Sequence, residues 1–329
     1  ALPQADAGSG MLHAVCDGML RCAEAFVARG NSADAIALYD RLCGVPNAAH
    51  EVRTGAVRGA VLARGPQEGL PVLLEAVHGE DAACFKGALR TAREMDGGDA
   101  VTAALAEALP ALSAERKIAL MQVLGHRGGS AAGPVLLAEA QAGPEDVRVA
   151  AVNALTRLAY TPALRLIAEL AAAEDAPLTQ AARNALAYFP APDGDAVLMA
   201  MLDNPGPAAR RVAVELIGKG GLPEPVGPLM DAAEKDADVS VRLTALTALQ
   251  KFAGIPEMPR LLAMLRKAQA PEEMQGAEDT LRAVVDRERK PTSAGIVIQK
   301  AVYGDLPGGA SADVTEKVTQ MVASGAMAI

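Results

Sequence analysis

The sequence predicts an all-α, right-handed α-solenoid of helix-turn-helix repeats, closed by a short α/β C-terminal tail. Three observations carry the prediction. A seed recurs eight times, with first positions at Val52, Cys84, Arg116, Val147, Leu178, Ala209, Val241 and Met274, and with steps of 31–33 residues. A fixed period of this length marks stacked supersecondary units. Within each seed the positions i, i+4 and i+8 share one helical face. Hydrophobic residues make up 51% of the chain but aromatics only 2%, with no Trp. A core of Ala, Leu and Val suits close-packed helices, and Ala and Leu lead the helix propensity scale. A solenoid grows its core by stacking, so 329 residues need not fold into separate globules.

Taken in order, residues 1–10 read as a flexible lead-in. Residues 11–46 read as a helical-hairpin cap. Its first helix carries Met11, Val15, Met19, Leu20, Ala23, Phe26 and Val27, and its second Ala35, Ile36, Leu38, Tyr39 and Leu42, with Gly30-Asn31-Ser32 between them. Residues 47–286 hold the regular array. The i+4 site is Ala in six seeds (Ala56, Ala88, Ala151, Ala182, Ala213 and Ala245), which lets neighbouring helices approach closely. Each seed but the last is followed by a second apolar helix, often with Pro at its start (Pro66, Pro134, Pro162, Pro192, Pro223 and Pro256). Proline suits a first helical turn, where no amide donor is required. The last seed is polar at its i+4 site, Glu278, as befits a closing helix. In residues 287–329, β-branched Ile296, Val297 and Ile298 read as a strand, followed by a Gly-rich loop and a short amphipathic helix. A lone strand leaves its edges unpaired, so this tail reads as the truncated start of a further small domain.

The seed, clearest at Asp238-Val239-Ser240-Val241-Arg242, resembles that of the HEAT repeat family in its short bacterial form, over residues 47–286. Phe85, Thr179 and Gln275 depart from the basic site that follows the first seed position. The run Ala35 to Leu42 resembles the second helix of a tetratricopeptide repeat, and the tail resembles a β-containing domain that follows HEAT arrays in some bacterial multidomain proteins. The resemblance implies that Arg53, Arg148, Arg210 and Arg242 are structural, each bonding an acidic or carbonyl group of the next repeat. It also implies that the second helices line a concave face, where Glu75, Glu107, Glu139, Arg165, Glu169, Asp231, Arg260 and Arg266 are candidates for binding a protein or peptide partner. That face reads as acidic for most of its length and basic near its C-terminal end. The function expected is a non-enzymatic scaffold or spacer, part of a larger bacterial protein. The alternative is an enzyme or accessory on a HEAT-like fold, of the metal hydroxylase or chromophore lyase type.

Charge and motifs narrow the classes further. A formal charge of −9 argues against a nucleic-acid partner, which requires a basic stripe. The basic run Arg287, Arg289, Lys290 is broken by Glu288 and reads as a solvated helix end. No apolar run reaches membrane-spanning length, and compartment is left open. Cys16, Cys22, Cys43 and Cys84 form no Cys-x-x-Cys pair, and Cys16 and Cys22 read as core. His50-Glu51 resembles one of the His-Glu pairs that deoxyhypusine hydroxylases place around two irons. His13, His78 and His126 have no adjoining Glu, so a ligand set for two irons is missing. Asp193-Gly194-Asp195 lacks the other carboxylates of a calcium loop and reads as a helix N-terminus. The glycines at 125–133 and 218–221 follow seed helices and read as caps. No catalytic residue and no cofactor is expected, because titratable groups are spread one or two per repeat where an enzyme gathers several at one point.

Overall fold

A computed structural model describes residues 4–46, 48–173 and 177–287. Their regular structure is helical throughout, and they form two compact units divided after Ala163. The proposed strand, loop and helix of the tail lie outside the described residues.

The first unit opens with a hairpin, α1 (Gln4–Ala28) and α2 (Ser32–Cys43). There follow α3 (His50–His78), α4 (Ala82–Glu94), α5 (Gly98–Ala108), α6 (Ala114–Arg127), α7 (Gly133–Ala142) and α8 (Glu145–Arg157). The second unit runs through α9 (Leu164–Ala171), α10 (Pro177–Tyr188), α11 (Asp193–Leu202), α12 (Pro207–Leu216), α13 (Val226–Lys235), α14 (Val239–Phe252), α15 (Met258–Lys267) and α16 (Pro271–Arg287). Seeds occupy the first half of α3 and then α4, α6, α8, α10, α12, α14 and α16. The helices between them are the second helices of the hairpins.

One element differs from the sequence reading at its start. Helix α1 begins at Gln4 rather than at residue 11. Gln4, Ala5 and Ala7 favour helix enough to carry Gly8 and Gly10 along. In α3 a seed helix and a second helix follow each other with no loop. Gly65, at φ 74°, turns the backbone between them, and Pro66 starts the second segment with φ already set.

The small i+4 residue explains the packing. Ala56, Ala88, Ala151, Ala182, Ala213 and Ala245 are all 0% exposed, as is Leu120 in the third repeat. The face continues at i+8, where Ala60, Ala92, Leu124, Leu155, Leu186, Ile217 and Leu249 are buried. In α16 Ala277, Thr280, Leu281 and Val284 are buried, and the Ala277–Leu281 spacing places the first seed position at Glu273, one residue before Met274. The step from Val241 is then 32, and the i+4 residue is Ala277, not Glu278. Close approach also dictates Gly59 in α3. A Cβ there would lie 2.2 Å from the ring of Tyr39, the buried aromatic of α2.

Helix starts repeat a second device. Asp81 caps α4, its Oδ1 accepting from the amides of Ala83 (2.7 Å) and Cys84 (3.0 Å). Asp238 caps α14 in the same way through Ser240 (2.9 Å) and Val241 (3.3 Å). These carboxylates satisfy amides that have no partner inside the helix.

Enlarging a buried i+4 residue should be costly. Ala213→Leu is expected to lower stability by about 1–3 kcal/mol through overpacking. Urea denaturation followed by circular dichroism checks this, with the exposed Ala208→Leu as the control that stays near wild type.

Candidate functional site

The guanidinium groups named above all have partners at the joints between hairpins. Arg53 donates to Asp81, the cap of the next seed helix. Arg210 makes a two-point contact with Asp236 (2.8 and 2.9 Å) and also donates to the carbonyls of Asn204 (2.8 Å) and Pro205 (3.0 Å). Arg242 reaches Glu273 in the next seed helix (2.5 Å) and the carbonyls of Asp236 (2.7 Å) and Ala237 (3.1 Å). Arg148 differs. It reaches back to the Ala140 carbonyl of α7 (2.8 Å), one of the helix-end acceptors with no intrahelical donor.

Where the basic residue is missing, a neighbour replaces it. Phe85 stands at that site in α4, and Arg116 of α6 lies over its ring at 4.5 Å. Arg116 also donates to the carbonyls of Gly79 (2.6 Å) and Glu80 (3.0 Å), which completes the joint. In α10, Thr179 holds the site and Arg183 caps the Ala171 carbonyl (3.0 Å). Two further arginines, unmarked in the seed pattern, perform the same task at helix C-termini. Arg127 donates to the carbonyls of Ala92 and Met95, and Arg287 to those of Ala253 and Gln250. Arg287 is therefore tied to α14 rather than left as a solvated end. The detectable signal would have been an Arg in the last turn of a seed helix.

The second helices present two different kinds of surface. In the first unit Glu68, Glu75 and Glu107 are exposed, and among the described residues none of them has an ion pair. Glu139 is different. Its carboxylate meets Lys117 of α6 at 2.6 Å, and only 11% of the side chain is exposed. The Lys117 side chain at the basic site of the third seed draws it into the joint, so it is lost to the open face. In the second unit the charges pair with one another. Arg165 bonds Glu169 (3.0 Å) along one helix. Arg260 of α15 holds both Glu234 (2.7 and 2.8 Å) and Asp231 (2.9 Å) of α13, and Lys235 adds a contact to Asp231 (3.1 Å). Arg266 is partly covered. The expected basic end of the face is thus neutralised at Arg260.

These contacts set the ionisation of the acids. The Arg260 hydrogen bonds hold the carboxyls of Asp231 and Glu234 below their ordinary values. Arg210 does the same for Asp236. For Asp81 the largest cause is the Cys84 amide, with the Ala83 amide and Arg53 adding to it against the cost of burial.

The remaining candidates are scattered. His50 and Glu51 are exposed at the start of α3. Among the described residues, no group of three or more His, Cys, Asp or Glu side chains could hold a metal ion. Cys16 is buried, but Cys22 is exposed, contrary to its reading as core. Helix α1 is apolar around most of its circumference, so apolar spacing alone could not tell its covered side from its open one. Asp193 and Asp195 lie in the first turn of α11, where they complement the helix dipole, while Pro192 takes the cap position. A cleft of about 400 Å³ opens among α13, α14, α15 and α16, lined by Lys235, Leu246, Met264, Lys267 and the Arg242–Glu273 pair.

The Arg210–Asp236 side chains are 14% and 8% exposed, against 91% and 60% for Arg165–Glu169. Removing one partner of a largely buried pair strands the other charge. Arg210→Ala should therefore cost about 3 kcal/mol, and Arg165→Ala less than about 0.5 kcal/mol, both read by urea titration. Acid should act through the same groups. A carboxylate whose folded value is depressed stabilises the fold above its unfolded value, and that contribution is lost as pH falls through the folded one. Stability should hold at neutral pH and decline below about pH 4. Arg210→Ala should flatten the decline in thermal melts across that range.

The profile of the HEAT repeats family matches residues 194–282. No curated protein matches the chain. Among solved structures, a chain of the Kap95p–RanGDP complex is 16% identical at a TM-score of 0.40, with 87% of this chain and 46% of that one covered. This chain thus spans less than half of that one's length. YibA of Escherichia coli is 16% identical at a TM-score of 0.37, covering 76% of this chain and 92% of YibA. Human deoxyhypusine hydroxylase, in complex with glycerol, is 18% identical at a TM-score of 0.32, covering 80% and 97%. No helix among the described residues is long and apolar enough to cross a membrane. Residues 194–282 thus match HEAT repeats, and the described residues have an all-α fold built of repeated helical hairpins.

Proposed function

We propose that this chain is a non-enzymatic protein-binding scaffold, and that the second-helix face of its first unit receives a segment rich in Lys and Arg. The observation that carries the reading is the contrast between the two units. Among the described residues Glu68, Glu75 and Glu107 stand exposed without ion pairs, whereas Arg260 and Lys235 already satisfy the acids of α13. Unpaired carboxylates on a rigid helical face attract and orient a basic partner, and such steering falls with ionic strength. The dispersal of titratable groups along the repeats supports a scaffold over an enzyme, which would gather them around one reacting atom.

Crosslinking mass spectrometry in native lysate, together with pulldown at low and high salt, tests the proposal. A partner should crosslink next to α3 and α5, elute as salt rises, and be lost with the double variant Glu75→Lys, Glu107→Lys at unchanged helicity. Capture that survives both salt and charge reversal would overturn the assignment to this face.

A further inference from the structure

Helix α1 has three sides, and the fold accounts for two of them. One is covered. Cys16 and Ala23 are buried, and Leu12, Met19, Leu20 and Phe26 pack with them against residues of α2 and α3 such as Leu42, Val52 and Tyr39. The second is the charged strip His13, Asp17, Arg21 and Glu24, spaced at helical intervals. The third consists of Met11, Ala14, Val15, Gly18, Cys22 and Ala25, and every one of these is exposed. Met11 is 73% and Val15 54% exposed. A helix apolar on two sides is ordinarily covered on both. Gly18 points the same way. A mid-helix Gly costs about 1 kcal/mol relative to Ala, yet a Cβ at Gly18 would meet nothing within 4 Å, so no contact among the described residues requires it.

We propose that α1 of a second copy covers this face, packed antiparallel and crossing at Gly18. The distribution of side-chain size selects that direction. The large residues, Met11 and Val15, precede Gly18, and the small ones, Cys22 and Ala25, follow it. An antiparallel pair sets Met11 against Ala25 and Val15 against Cys22 twice over, by two-fold symmetry. A parallel pair would set Met11 on Met11 and leave a gap at Ala25. Charge selects the same direction. Along the edge of the face, antiparallel packing puts both strips on the same edge and brings Arg21 of one copy to Asp17 of the other and Glu24 to His13, whereas parallel packing sends the two strips to opposite edges. Asp17 and Arg21 already meet within one helix at 2.7 Å, with 43% and 77% of their side chains exposed, and can bridge both copies. The inference stands apart from the proposed partner site, which lies on α3 and α5.

One helix per copy makes an interface below the usual size for a stable complex, so the dimer is read over a dilution series of the 329-residue chain by sedimentation velocity. The wild type should shift from monomer to dimer with concentration. Val15→Glu and Met11→Glu should each raise the dissociation constant roughly 100-fold, because both copies then bury a charge. Their circular dichroism should match wild type, since both sites are exposed. Gly18→Cys in a Cys22→Ser background should form an interchain disulfide at the axis on mild oxidation. A wild type that stays monomeric at every concentration, or a dimer indifferent to both glutamates, overturns the proposal. So does a dimer in which the Gly18→Cys variant gives no crosslink at the axis.

Discussion

Everything in this fold depends on how closely successive seed helices approach. Six alanines at the i+4 position have no exposed surface. At that separation a larger side chain must displace a helix backbone, since packed interiors have no spare volume. The period follows directly. Most seeds supply an alanine at the same place, Leu120 of the third seed being the exception, and the 31–33 residues of one step hold two short helices and their turns.

Close approach creates a polar problem that the arginines solve. Drawing helix ends together hides carbonyls and amides that have no intrahelical partner. Arg210 and Arg242 each combine a carboxylate with two loop carbonyls, and Arg116, Arg127 and Arg287 each serve at least two carbonyls. A guanidinium suits this because its donors are fixed in a plane and it never loses its charge. Arg116 over Phe85 makes the point most clearly. The basic side chain is missing at one site, and the next seed supplies a cation to the same joint from its own first position. The constraint acts on the joint, and the residue that meets it can change.

The residues differ in how far the sequence reveals their roles. The alanines are legible because burial and periodicity are the same signal. The eighth seed is displaced by one residue in the sequence reading because its first position is Glu273. A search for apolar residues settles on Met274, and only the Arg242 contact and the burial of Ala277 reveal the register. Glu139 reads as part of the open face because its own helix gives no hint of Lys117, which lies 22 residues away in sequence. Arg260 reads as a free cation for the same reason, since Asp231 and Glu234 belong to another helix. Local pattern reports which side of a helix is covered. Whether a charge is still available depends on pairs between helices, which no single segment encodes.

The same distinction separates the two outermost described helices. Helix α16 holds some of its polar side chains within the helix, Arg282 to Glu278 at 3.1 Å and Gln275 to Asp279 at 2.8 Å, and ties Glu273 and Arg287 to α14. Helix α1 keeps its charge in one strip and leaves Met11 and Val15 bare beside it. Both helices occupy terminal positions among the described elements. A helix that meets water on one side needs a single apolar face, and α1 carries two. Its second face costs solvation free energy in the isolated chain and contributes stability only when another surface covers it.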